Sequence, residues 1–164
     1  MKNIIIFCLI NSLASSVARD LCEQIDYNYI DLSKTFEEKE INSKTDLNIV
    51  AENSDSAKIS IEQLKIISRV KNTVFVSNNF NLLSEKFLNN LKGECSVVYI
   101  AVNKIDYLEH KWNENLTQPT KFKVDDIVFE MRQKAYISCV DICLSGSTNA
   151  KTLSKKLIKK LESL

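Results

Sequence analysis

The first stretch able to do chemistry is Ile4–Leu21, IIIFCLINSLASSVARDL. An apolar run, a short polar break and a helical pattern carrying Ser15 and Ser16 make a strand–turn–helix, the unit on which backbone amides hold nucleotide phosphates. That chemistry asks for G-x-x-x-x-G-K-[ST]. Here the glycine positions fall on Cys8 and Leu13, the lysine position on Ala14 and the hydroxyl position on Ser15. Leucine does not readily take the positive φ such loops use, although Asn11 could. Without the lysine, a point charge on the transferring phosphate is missing, and phosphoryl transfer rests almost wholly on positioning and electrostatics. A remnant loop of Asn11, Ser12, Leu13, Ala14, Ser15 and Ser16 is left. Ser15 also suits the start of a helix for capping alone.

Other chemistry-bearing residues are sparse. Five cysteines, Cys8, Cys22, Cys95, Cys139 and Cys143, include no C-x-x-C pair, and His110 is the only histidine. Structural zinc wants paired, closely spaced ligands, so free thiols in a reducing compartment are the expectation. Residues 1–18 carry Lys2, an apolar run and small residues ending in Ser16-Val17-Ala18, a pattern passable as a signal peptide cleaved near Ala18. The competing reading is a buried first strand. The single lysine, the short apolar run and the unpaired cysteines favour the strand and a cytoplasmic protein. No segment approaches the roughly 20 apolar residues of a membrane span. Lys plus Arg is 22 and Asp plus Glu 21, for a net charge of +1, so no global field draws the chain to nucleic acid or an anionic membrane. The lysine stripe Lys151, Lys155, Lys156, Lys159 and Lys160 lies opposite Leu153, Leu157, Leu161 and Leu164 and reads as the solvated face of a docked helix. His110 and Trp112 read as packing or hinge residues, and the sequon Asn115-Leu116-Thr117 has no role in a cytoplasmic protein.

The elements that must position these groups alternate along the chain. Short runs rich in Ile, Val, Tyr and Phe at Asn3–Cys8, Asn28–Asp31, Thr73–Ser77, Ser96–Ala101 and Val140–Leu144 predict strands buried on both faces. Helical patterns fall at about 14–25, 34–40, 58–70, 82–91, 104–111, 123–136 and 150–163. The alternation predicts an α/β three-layer sandwich, a five-stranded parallel sheet flanked by helices with right-handed crossovers. Ligands of such sheets bind at the carboxyl ends of the strands, here near residues 9–16, 31–34, 77–81 and 101–104. Residues 41–57 are polar and residues 112–122, which hold the only proline and the only tryptophan, read as a loop over one edge. With no repeat and no linker, residues 1–164 are expected to form one domain. Two glycines and one proline in 164 residues, against average usage of about 7% and 5%, exclude linker-rich designs and leave little material for a phosphate loop.

Several fragments in this layout resemble the shikimate kinases. Ser15-Ser16-Val17-Ala18-Arg19 resembles their K-S-T-V-A-R, and Tyr27-Asn28-Tyr29-Ile30-Asp31 their Y-x-F-I-D. Arg132-Gln133-Lys134-Ala135-Tyr136 resembles R-x-P-L-Y, followed by Val140-Asp141-Ile142 in place of A-D-I. The spacing holds over the full 164 residues. The resemblance implies a P-loop kinase-like fold, a lid-like loop at about 112–122 and a substrate-side excursion at about 34–70. It places magnesium on Ser15 and Asp31, although Asp31 could equally cap the following helix. The substrate-binding aspartate becomes Ser33 and the arginine before the middle helix becomes Lys58, which keeps the charge but not the bidentate fork. The glycines after the third strand become Asn78, Asn79 and Phe80, the lid arginine becomes Gln118, and Arg132 stands where the shikimate carboxylate would be clamped. Arg132 could also be a surface ion-pair residue beside Asp126 and Glu130.

So many departures at once imply a shikimate-kinase-like protein that has lost ATP-dependent phosphoryl transfer and acts by binding or regulation. It would need no cofactor and would take a small-molecule acid or a protein partner, without nucleic acid or membrane. The alternative is an active kinase using ATP and magnesium on shikimate or a related small hydroxy acid. In that reading Lys34, Lys58 or Lys121 would reach the phosphates in a closed state.

Overall fold

The protein, seen as a computed structural model, is described over residues 2–32, 65–77, 85–114 and 122–163. Its strands are β1 (Asn3–Cys8), β2 (Asn28–Asp31), β3 (Thr73–Val76), β4 (Cys95–Ile100) and β5 (Ile142–Leu144). The helices are α1 (Asn11–Ile25), α2 (Glu85–Glu94), α3 (Lys104–Glu114), α4 (Phe122–Cys139) and α5 (Ala150–Leu161), with a further helical segment at 65–69. The strands form one sheet in the order β2-β3-β1-β4-β5, and every pairing is parallel. This is the expected α/β architecture. The helix expected at 34–40, most of that at 58–70 and most of the excursion at 34–70 lie outside the described residues.

β1 lies at the centre of the sheet, and all of its residues are buried. The register pairs Ile5 with Phe75 on one side and with Val97 on the other. The chain moves from β1 to β2 in one direction across the sheet and from β3 to β4 in the other. Right-handed crossovers therefore put α1 and α2 on opposite faces. α1 shares its face with α5, and the two pack against each other. A polar group joins them around buried Ser154: its hydroxyl donates to the Asp20 carboxylate, and exposed Gln24 donates through Nε2 to Asp20 Oδ2 at 2.8 Å and to Ser154 Oγ at 3.0 Å.

At the amino edge of the sheet, Asn3 is a buried polar clamp. Its Nδ2 donates to the carbonyls of Ile67 at 3.1 Å and Val70 at 2.8 Å, and its Oδ1 accepts the Thr73 N–H at 3.1 Å. The side chain thus fastens the end of the 65–69 helix and the start of β3 to β1. With so few glycines, the chain makes two of its left-handed turns with Asp26 (φ 55°) and Asn72 (φ 51°), residue types that tolerate that region. Gly146, at φ 81°, turns the chain from β5 toward α5.

Two expectations need correction. α1 begins at Asn11, not near residue 14. α3 runs through Trp112 to Glu114 and α4 starts at Phe122, so residues 112–114 and 122 of the expected loop are helical, and residues 115–121 lie outside the described residues. The lysine stripe of α5 is the expected solvated face: all five lysines are exposed, while Leu153 and Leu157 are buried. Lys156 Nζ donates to the Ser145 carbonyl at 3.3 Å and Lys160 Nζ to the Cys143 carbonyl at 3.0 Å, which ties the helix to the end of β5.

Candidate functional site

The carboxyl edge of the sheet is where a parallel α/β fold presents ligands, and its centre is the turn from β1 into α1. Only Leu9 and Ile10 separate strand from helix. Ile10 is the N-cap residue, extended at φ −102° and ψ 100°, and no side chain caps the helix. The turn is closed by groups of its own. Cys8 Sγ accepts the Ile10 N–H at 3.3 Å, and the N–H groups of Leu13 and Ala14 both donate to the Ile10 carbonyl, at 3.1 and 3.3 Å. Cys8 is fully buried, and burial pushes its thiol from 9.0 up to about 12 against the opposing Ile10 N–H. It is a neutral packing group that accepts a hydrogen bond.

The sequence-derived loop residues therefore sit on a helix. Asn11 and Ser12 form its first positions, with Ser12 exposed. Leu13 and Ala14 are buried in the core, Ala14 completely. Ser15 is half-buried in the second turn and Ser16 is exposed. Ser15 is not the helix cap, because the helix starts four residues earlier.

Asp31 ends β2 and is half-buried. It is level with Val76 of β3, which is level with Ile6 of β1, so the carboxylate lies two strands from the turn, roughly 10 Å across the sheet. Ser15 and Arg19 are one helical turn apart and share a face. The Arg19 guanidinium lies 5.3 Å from the centre of the Tyr29 ring, and Tyr29 and Asp31 point to one side of β2. Ser15 and Asp31 are thus carried on the same flank of the edge.

The remaining candidates separate. Arg132 is in α4, but its side chain lies outside the described residues. Glu130 reaches Lys104 Nζ at 3.6 Å. Ser33, Lys58, Asn78, Asn79, Phe80 and Gln118 lie outside the described residues. Among the described residues no group of three or more His, Cys, Asp and Glu side chains is placed to hold a metal ion, and no helix is long and apolar enough to cross a membrane.

Ser77 is a position the sequence did not single out. It follows β3 at the carboxyl edge, is almost fully buried, and its hydroxyl has no hydrogen-bond partner among the described residues. A buried unpaired hydroxyl costs about 1–3 kcal/mol. Its only sequence signal is its place at the end of an apolar strand. On β4 the next turn is set by a reciprocal cap: the Asp106 N–H donates to Asn103 Oδ1 at 2.8 Å and Asn103 Nδ2 donates to Asp106 Oδ2 at 2.6 Å.

No known protein-family profile matches this sequence, and no curated protein resembles it significantly. Solved structures do. The chain superposes on shikimate kinase from Aquifex aeolicus with a TM-score of 0.74 and 22% identity, covering 98% of this chain and 96% of that one. Shikimate kinase from Acinetobacter baumannii, solved with shikimate, gives a TM-score of 0.75 at 16% identity over 99% of this chain and 94% of that one. A gluconokinase from Sinorhizobium meliloti gives 0.60 at 11% identity over 99% and 92%. The five-stranded parallel sheet and its flanking helices are the P-loop kinase-like fold that shikimate kinases have.

Proposed function

We propose that this chain uses the shikimate-kinase fold for binding or regulation and does not carry out ATP-dependent phosphoryl transfer. The observation that supports this reading best is the start of α1. A triphosphate is held by amides that a loop leaves pointing outward and by a lysine that follows them. Here the amides of Leu13 and Ala14 are turned inward onto the Ile10 carbonyl, and residue 14 is a fully buried alanine. The residues of this turn do not fit ATP phosphates. The ligand of the carboxyl edge would be a small-molecule acid or a segment of a protein partner, with Ser15 and Asp31 on the flank that meets it.

Isothermal titration with magnesium-ATP and with shikimate, together with a phosphotransfer assay, tests the proposal. Absence of saturable nucleotide binding and of turnover is expected. Micromolar binding of both compounds with measurable phosphoryl transfer would overturn it in favour of an active kinase with re-supplied residues.

A further inference from the structure

The opposite edge of the sheet holds a cavity of about 370 Å³, within the roughly 300–1,000 Å³ of small-molecule sites. It opens where β1 and β4 begin, at Lys2, Ile4, Cys95 and Ser96, and is closed by Lys92 of α2 and Asp141 just before β5. From Asn3 to Cys8 a strand advances roughly 16 Å, so this cavity is separate from the turn into α1.

Its floor is apolar: Ile4 and Cys95 are fully or almost fully buried, with Leu161 of α5 beside them. Its rim carries two ammonium groups and one carboxylate. The carboxylate is already engaged, since Asp141 Oδ2 accepts the Val97 N–H at 2.8 Å while Asp141 Oδ1 is 4.0 Å from Lys92 Nζ, the outer limit of an ion pair. Lys2 Nζ donates to the Lys92 carbonyl at 3.4 Å. That contact holds one ammonium over the cavity and uses only one of its three donors. Burial pushes the Cys95 thiol from 9.0 up to about 12, with Asp141 and Glu94 adding to the rise and Lys2 opposing it. Glu94 is not part of the lining, so the wall itself has a net positive charge over an apolar floor.

We propose that this amino-edge cavity is a binding site for a small organic carboxylate with a compact apolar body. The apolar part would rest on Ile4, Cys95 and Leu161, and the carboxylate would accept from Lys2 and Lys92. The proposal does not depend on what the carboxyl edge binds.

Benzoate is a suitable probe, with cyclohexylammonium as a control of similar size and opposite charge, followed by amide chemical shifts. Benzoate is expected to give saturable shifts at Ile4, Ser96 and Val97 at millimolar concentration, and cyclohexylammonium none. Lys2→Gln combined with Lys92→Gln, both at exposed or half-exposed positions, should weaken benzoate by about three- to tenfold. Asp141→Asn, which keeps an oxygen for the Val97 N–H, should tighten it by about threefold. The proposal is overturned by non-saturable benzoate shifts, by shifts confined to residues 9–16, or by equal binding of the cation. An unchanged affinity in the double lysine variant, with its thermal midpoint retained, overturns it as well.

Discussion

The backbone N–H of Ala14 donates to the carbonyl of Ile10 at 3.3 Å, and the side chain between them and the sheet is completely buried. Ala14 is thus part of the core, one turn into a helix.

Restoring a lysine there should fail. In Ala14→Lys the ammonium must either enter the core or displace α1, and an unpaired buried charge is among the most destabilising changes. A loss of about 3 kcal/mol in unfolding free energy is expected, with no gain in nucleotide affinity by titration calorimetry. A stable variant with new ATP affinity would mean that a phosphate site lies ready beneath the alanine.

Asn3 should matter more than its size suggests. Asn3→Leu keeps the branched shape but leaves the Ile67 and Val70 carbonyls and the Thr73 N–H without their partner. Each orphaned buried group costs about 1–3 kcal/mol before relaxation or water entry. A net loss of about 3 kcal/mol is expected, read as a lower urea midpoint with an unchanged slope. A loss within experimental error would show that the clamp contributes nothing.

The docking of α5 on α1 should show energetic coupling. Ser154 is fully buried and donates to Asp20, which also accepts from Gln24. In a double-mutant cycle of Asp20→Asn and Ser154→Ala, a coupling of about 1 kcal/mol is expected. Additive losses would mean that the leucines Leu153 and Leu157 hold the helix without help from the polar group.

The thiols should make the fold sensitive to alkali. Burial raises Cys8 and Cys95 from 9.0 to about 12 and Cys22 to about 11. Above pH 9 the unfolded chain loses these protons while the folded chain keeps them, so the unfolded state is favoured as pH rises. Stability should be flat below about pH 8 and should fall toward pH 11, by up to about 1.4 kcal/mol per pH unit for each of Cys8 and Cys95. Denaturation midpoints across that range test the sign. Cys143 is half-buried, and burial raises its thiol while the Lys160 ammonium opposes the rise. Mass spectrometry after brief iodoacetamide treatment of the native protein should find Cys143 labelled ahead of Cys8, Cys22 and Cys95.

Asn3–Cys8 was legible because burial on both faces of a parallel sheet demands a continuous apolar run; Asn28–Asp31 has the expected bounds, but it is an edge strand with Asn28 exposed and the rest half-buried, not a strand covered on both faces. Thr73–Ser77 loses one residue, since Ser77 continues the apolar environment but has no ladder partner. The start of α1 was not legible. Serine at 15 invites a cap there, yet the turn is set by the Cys8 sulfur and the Ile10 carbonyl, partners that no residue preference announces. The start of α3 at Lys104, by contrast, is secured by the reciprocal Asn103–Asp106 cap.

What the amino-acid order determined alone is therefore the succession of elements and the spacing that resembles a kinase, since both depend on local hydrophobic period and on residue type at fixed intervals. Which polar groups meet was decided by tertiary structure. Asn3 finds its partners more than 60 residues away, Asp20 meets Ser154 across 134 residues, and Lys2 reaches the Lys92 carbonyl across 90. Such pairs form only after the sheet has closed, because the free energy that brings them together comes from burying the apolar strands between them.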